Sequence, residues 1–237
     1  MPSGLVVVVE ILSALATLTL VFSTLKPCRE SGISYLLGVP AGFGLLTIAF
    51  AANAFLTLTE FIFPASGLIL GVVFLLTQTY GLIFLALTYA RKTRLKFIGE
   101  SVSVELAIPT AVTIAVLAYS FTYERSAPLN AVPLSVSLPL RAVMALAGLY
   151  IVYETGRNWG LTRRASEGFV TVGFLLLLVE QLGFILAEGN FGDVAIFLGY
   201  EGRIIGLFVL VAVTFVGIKK GDFTALLKRL GLEAPAH

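Results

Sequence analysis

Residues 168–187 read GFVTVGFLLLLVEQLGFILA, and this stretch decides the fold class. It is apolar apart from Thr171, Glu180 and Gln181. An α-helix of this length crosses a hydrocarbon core about 30 Å thick. The stretch is also too continuous for a strand of a membrane β-barrel, in which polar and apolar residues alternate over about ten positions. It therefore predicts a transmembrane helix with a carboxylate and an amide inside it.

Similar apolar runs follow one another along the rest of the chain. Hydrophobic residues make up 58% of the sequence and charged residues 13%, and the mean hydropathy is +0.98, which is too apolar for a soluble domain. We therefore expect an all-α, multi-pass protein of the cell membrane, with a seven-transmembrane-helix domain over residues 1–218 and a short cytoplasmic tail over 219–237. The other six predicted spans lie near residues 4–24, 33–62, 67–90, 100–121, 134–154 and 194–218.

The positions of the basic residues predict the orientation of this bundle. With the N-terminus outside and the C-terminus inside, 13 of the 16 basic residues lie at the inner side. The positive-inside rule favours that arrangement. The inner set is Lys26, Arg29, Arg91, Lys92, Arg94, Lys96, Arg157, Arg163, Arg164, Lys219, Lys220, Lys228 and Arg229.

A weak internal similarity at an offset of 128 residues suggests a repeat. Asn53 aligns with Gln181, and Glu60 aligns with Glu188. Spans 1–3 and 5–7 run in the same directions, with span 4 between them. This pattern is typical of a 3+1+3 parallel repeat, as found in several transporter folds.

Several kinds of membrane-protein chemistry lack the residues they need. His237 is the only histidine, so no predicted span offers ligands for a bis-histidine haem or a histidine-bound zinc ion. The seventh span has no lysine for a retinal Schiff base. No phosphate-binding glycine loop or other catalytic motif is present. We therefore expect no enzyme activity, no metal, no cofactor and no nucleic-acid partner.

Polar residues inside the spans are the candidates for function. Glu180 shares a helix face with Gly173, Gly183 and Ala187. Small residues let neighbouring helices approach closely, so this face is expected to point at another helix and not at lipid. Four other polar residues lie on comparable small-residue faces. The candidate ligand-binding residues are Glu180, Gln181, Arg141, Gln78, Asn53 and Glu10.

The expected depth of these residues divides them into two groups. Counted from the basic ends, Glu180, Gln181, Gln78 and Asn53 fall near the midplane, whereas Glu10, Glu60, Arg141 and Arg203 fall in the outer half. A guanidinium inside a membrane needs an acid or an aqueous cavity. For Arg141 the expected partners are Glu10, Glu180 and Glu201. The polar set is then a satisfied network that fixes helix order, a ligand or ion site that opens outward, or a proton relay.

One segment predicts an irregular helix. The sequence GVPAGFG at residues 38–44 places Pro40 among three glycines. Proline removes a backbone hydrogen bond and clashes with the preceding turn, so we expect a kink or break there.

Three segments carry a resemblance to a known class of protein. YLLGVPAGFGLLTIAFAANAF (35–55), TYGLIFLALTYARK (79–92) and GFVTVGFLLLLVEQLGFIL (168–186) resemble the seven-helix membrane modules of archaeal and bacterial sensor proteins. Those modules are often joined to a cytoplasmic signalling domain. Here only residues 219–237 follow Ile218, so the resemblance implies that a separate cytoplasmic partner carries the signal.

Three functions remain open on the sequence. The first is a sensor or receptor-like bundle that binds a small ligand in an outward-facing polar cavity. The second is a transporter or channel for a small solute or ion, which a repeat and midplane amides suit equally well. The third is a scaffold subunit of a membrane complex, which needs no cavity. In each case the lipid bilayer is the constant partner.

Overall fold

A computed structural model describes residues 3–31, 34–59, 66–94, 110, 111, 114, 115, 132–188 and 192–218. Within these ranges the regular structure is entirely helical. A short 3-10 helix, Ser34–Leu37, precedes the second of six long helices. The long helices are α1 (Ser3–Glu30), α2 (Gly38–Thr59), α3 (Ser66–Arg94), α4 (Leu134–Thr162), α5 (Ala165–Leu186) and α6 (Gly192–Ile218).

In the described part of the chain, six helices are long and apolar enough to cross a membrane. The protein is therefore an all-α, multi-pass integral membrane protein, as the sequence predicts. Large apolar side chains cover its outer surface, and Phe22 and Leu146 are 69% and 67% exposed. A surface of this kind is stable only against acyl chains.

Some of the sequence predictions fall outside the described residues. Of the fourth predicted span, 100–121, only residues 110, 111, 114 and 115 are described, and they are helical. The hydroxyl of Tyr80 on α3 donates a hydrogen bond to Thr110 Oγ1 at 3.0 Å, which places Thr110 against α3. The tail 219–237 lies outside the described residues. The seventh helix, the orientation and the repeat therefore stay predictions.

The six helices form a closed ring. Each packs against the next in chain order, and α6 packs against α1 to close it. Interior positions are filled mainly by apolar side chains such as Phe50, Leu85 and Met144, all at most 1% exposed. A ring encloses a common centre, so side chains from helices that are distant in sequence can meet there.

Glycines bring the backbones of α5 and α6 into contact. A Cβ atom on Gly183 would lie 2.7 Å from the carbonyl oxygen of Ala195, and one on Gly206 would lie 2.7 Å from that of Gly173. Real Cβ atoms do not approach backbone so closely, so only glycine fits at these contacts. The close approach holds the polar residues of α5 and α6 within reach of each other.

The chain changes helix type just before Pro40. The 3-10 helix ends at Leu37 and α2 begins at Gly38. Pro40 therefore lies in the first turn of α2, where a missing N–H donor costs nothing because that donor has no partner within the helix. Proline here marks the start of the helix and does not interrupt it.

The turn between α4 and α5 is short and strained. Arg163 has φ 56°, and it is the only non-glycine residue with a positive φ in the described ranges. Its N–H donates to the carbonyl oxygen of Trp159 at 2.8 Å, which ends α4. The chain therefore reverses within two residues, and α4 and α5 are forced to pack as antiparallel neighbours.

Candidate functional site

The centre of the ring holds a cluster of polar side chains from five different helices. Its hub is Arg203 on α6, which is 0% exposed although it is one of the largest side chains in the protein. A guanidinium cannot lose its charge at ordinary pH, so its surroundings must compensate that charge. We call this group the Arg203 cluster; it consists of Glu10, Asn53, Gln78, Glu180 and Arg203.

One side of the cluster joins α6 to α1 and α2. Arg203 Nη2 donates a hydrogen bond to Glu10 Oε1 at 2.7 Å. Asn53 Nδ2 donates to the same oxygen, also at 2.7 Å. Glu10 is 0% exposed and therefore depends on these two donors for its solvation. Its neighbours one and two turns along α1, Ser13 and Thr17, are buried with it.

The other side joins α6 to α5 and α3. Arg203 Nη1 lies 3.4 Å from Glu180 Oε1, an ion pair whose geometry is too poor for a hydrogen bond. Gln78 Nε2 donates to Glu180 Oε1 at 2.9 Å. Glu180 is 2% exposed and Gln78 is 1% exposed. The carboxylate inside the 168–187 stretch is thus accommodated by an amide from α3 and a cation from α6.

Two aromatic rings enclose the guanidinium. Arg203 Cζ lies 4.5 Å from the ring centroid of Phe50 and 4.9 Å from that of Tyr200. Cation–π attraction of this kind is stronger away from water. The rings and the two carboxylates together fix the position of the charge.

A second arginine, Arg141, lies at the end of the helix bundle where α6 begins. Arg141 Nε on α4 donates to Glu188 Oε1 at 2.7 Å, and the two side chains are 11% and 19% exposed. The Arg141 guanidinium sits 4.4 Å over the ring of Phe184. Phe184 in turn meets Tyr200 edge to face at 5.2 Å between centroids. The aromatic rings of Phe184 and Tyr200 therefore lie between the Arg141–Glu188 pair and Arg203.

Several buried atoms of the cluster and its surroundings have no hydrogen-bond partner within the described residues. They include Arg203 Nε, Glu10 Oε2 and Gln78 Oε1. Gln181 is 1% exposed, and neither its Nε2 nor its Oε1 has a partner. Unpaired polar atoms in a low-dielectric interior are costly. The centre of the bundle therefore contains both hydrogen-bond donors and hydrogen-bond acceptors that have no partner in the described residues.

The structure brings four of the six candidate residues together and separates the other two. Glu10, Asn53, Gln78 and Glu180 meet at Arg203. Gln181 is buried next to Glu180 in sequence on α5, but neither polar atom of its amide makes a hydrogen bond within the described residues. Arg141 belongs to its own ion pair.

The expectation about the ion pair of Arg141 was wrong. The partner of Arg141 is Glu188, and not Glu10, Glu180 or Glu201. One guanidinium contacts the carboxylates of both Glu10 and Glu180, so residues expected in two groups meet in one cluster.

Sequence reasoning missed Arg203 as the hub, although a signal was present. Arg203 has Gly199 four residues before it and Gly206 three residues after it, on the same helix face. This is the small-residue pattern that marks Glu180. Phe50 and Tyr200 gave no comparable signal, because aromatic residues are frequent throughout the spans.

Buried acids also lie at the opposite end of the bundle. Glu154 pairs with Arg157 at 3.2 Å, between residues three apart on α4. Glu167 accepts a hydrogen bond from Thr162 Oγ1 at 2.7 Å. Both glutamates are 4% exposed. The hydrogen bond from Thr162 to Glu167 spans the α4–α5 turn.

The fold and the cluster define a polytopic helical membrane protein with an ionic hub inside its bundle. Comparison with known proteins gave no matching family model, no matching curated protein and no matching solved structure. No group of three or more histidine, cysteine or acidic side chains suited to a metal ion occurs within the described ranges.

Proposed function

We propose that this protein is a receptor-like seven-helix bundle that binds a small polar ligand at the Arg203 cluster and signals through a separate cytoplasmic partner. The proposal is for binding and not for catalysis. The observation that carries it is the set of buried, unpartnered donors and acceptors around Arg203 and Gln181. A polar ligand that pairs with these atoms recovers the free energy that burying them costs.

The cluster also supplies a means of transmitting binding. Arg203 contacts Glu10 on α1, Phe50 on α2 and Glu180 on α5. A ligand that competes for the guanidinium alters contacts between four helices at once. Signalling requires that the ligand bind one helix arrangement more tightly than the other, and a shared hub provides such a difference.

Transport of a small solute or ion is the second candidate. It is favoured by the position of Arg203, which lies near the middle of α6 (Gly192–Ile218) and not at either end. A site at mid-bilayer is accessible from both sides in turn if the helices rock about it. The 3+1+3 repeat expected from the sequence suits this function as well.

The experiment that tests the receptor proposal measures ligand binding to the purified protein in detergent. Native mass spectrometry identifies a co-purifying small molecule, which is then added back in a thermal-unfolding assay. We expect the molecule to raise the unfolding midpoint of the wild type and to have little effect on Gln181→Leu. Gln181→Leu removes an amide with no partner, so the variant is expected to fold. Leu182→Ala, whose side chain is 45% exposed, is the matched control and should respond like the wild type.

The same material separates the three functions. Uptake of the bound molecule into proteoliposomes would favour transport and contradict a pure receptor. If no molecule binds and Gln181→Leu changes only stability, the polar cluster serves to hold the helices together. The scaffold function is then favoured.

A further inference from the structure

The charges of the Arg203 cluster do not balance. Two carboxylates, Glu10 and Glu180, face the single guanidinium of Arg203. All three side chains are at most 2% exposed. When both acids are ionised, the cluster carries one uncompensated negative charge inside a membrane, where such a charge is strongly unfavourable.

The described surroundings supply no second cation. Helices α2 and α3 contribute the neutral amides Asn53 and Gln78. Arg141 on α4 is paired with Glu188 of the α5 end, so that pair adds no net charge. Tyr200 on α6 adds a neutral phenol at ordinary pH. The charged and titratable groups around the cluster are Glu10, Arg141, Glu180, Glu188, Tyr200 and Arg203.

The two acids contact the same guanidinium. Glu10 Oε1 approaches Nη2 of Arg203, and Glu180 Oε1 approaches Nη1 of the same group. These are the two terminal nitrogens of one guanidinium, so both carboxylates share a single cation. Glu10 Oε2 is buried and has no partner in the described part of the chain. Glu10 Oε2 is therefore available to bind a positive charge.

We propose that the Glu10–Glu180 pair of the folded protein binds one monovalent positive charge, either a proton from solvent or a small cation such as Na⁺. In the proton case an O–H bond forms on one carboxylate and no other bond changes. This inference deepens the proposed function and rests on it only in using the same cluster.

The test consists of two titrations of the purified protein, and the thermal-unfolding midpoint is measured at each step. The first lowers the pH from about 8 to about 5 in choline chloride, and the second replaces choline with Na⁺ at about pH 8. The folded state takes up a charge that the unfolded chain, with its acids in water, does not hold. The midpoint must therefore rise as the charge is supplied. A rise of several degrees in the first titration alone identifies a proton, and a rise with Na⁺ identifies a cation.

Two variants make the assignment specific. Glu180→Gln removes the excess charge and keeps the shape, so its midpoint should be nearly independent of the titration that shifts the wild type. Glu201→Gln removes an exposed carboxylate from the same helix as Arg203 and should keep the wild-type response. If Glu180→Gln does not fold, Glu10→Gln takes its place.

The proposal is overturned if the wild-type midpoint is flat in both titrations. It is also overturned if Glu180→Gln and Glu10→Gln both respond fully. A positive titration without any co-purifying molecule would keep this inference and remove the receptor proposal. A co-purifying molecule together with a flat midpoint in both titrations would keep the receptor proposal and contradict this inference.

Discussion

Arg203 has no solvent-exposed surface and lies on a helix that crosses the membrane. Its charge is tolerated because Glu10, Glu180, Phe50 and Tyr200 surround it. Replacing one member of such a group leaves the others buried and unpaired, and this cost exceeds the net value of the interaction that is lost.

The first prediction follows from this asymmetry. Arg203→Gln should lower the free energy of unfolding by on the order of 3 kcal/mol, because two buried carboxylates lose their cation. Arg141→Gln is the matched control and should cost about 1 kcal/mol, since that pair is partly exposed to solvent or headgroups. Unfolding in mixed micelles measures both variants. Equal losses for the two would contradict the central role of Arg203.

For individual residues, the sequence predicts which polar side chains belong to the cluster better than it predicts which of them pair. Glu10, Asn53, Gln78 and Glu180 could be selected because each is polar and lies beside small residues. That Arg203 pairs with Glu10, 193 positions away, depends on α6 packing against α1. No local pattern encodes that contact, so the expected partners of Arg141 were wrong as well.

At the scale of the helix, glycine determines which elements approach closely enough to share the cluster. Gly206 lies on α6 one turn from Arg203, and its backbone contacts that of Gly173 on α5. The apolar length of each span could be read from the sequence, and six of the seven expected spans correspond to helices in the described ranges. The ends were predicted less well, because α1 and α4 continue into residues such as Lys26 and Arg157 that an apolar window excludes.

The second prediction tests the close approach of α5 and α6. Gly206→Ala should destabilise the protein by about 1–3 kcal/mol, because its methyl group would lie 2.7 Å from the Gly173 carbonyl oxygen and the helices would have to separate. Gly160→Ala is the control, since a Cβ atom there meets nothing within 4 Å. It should stabilise α4 by about 0.5–1 kcal/mol through the better helix propensity of alanine. A neutral Gly206→Ala would show that the two helices are not held together by this contact.

At the scale of the whole molecule, the ring brings α6 back to α1 and so creates an interior that five helices share. Hydropathy predicts how many segments cross the membrane, but several ring orders are compatible with the same segments. The order is determined by side-chain contacts across the interior, such as that between Gln78 and Glu180. The orientation of the ring in the membrane is predicted from the distribution of charge alone.

The third prediction concerns that orientation. Asp193→Cys, at the start of α6, should react with a membrane-impermeant maleimide on intact cells that express the protein. Arg163→Cys, in the α4–α5 turn, should react only after the cells are made permeable. Both positions are exposed, and the native Cys28 is 1% exposed, so background labelling should be low. The opposite pattern would reverse the predicted topology.

The most direct test of the Arg203 cluster is a double-mutant cycle between Glu10→Gln and Arg203→Gln, with the free energy of unfolding measured for all four proteins. The 2.7 Å contact predicts a coupling energy of about 1–3 kcal/mol. A parallel cycle between Glu201→Gln and Arg203→Gln should give less than about 0.5 kcal/mol, because Glu201 is exposed. Additive effects in the first cycle would show that Glu10 and Arg203 do not meet inside the bundle.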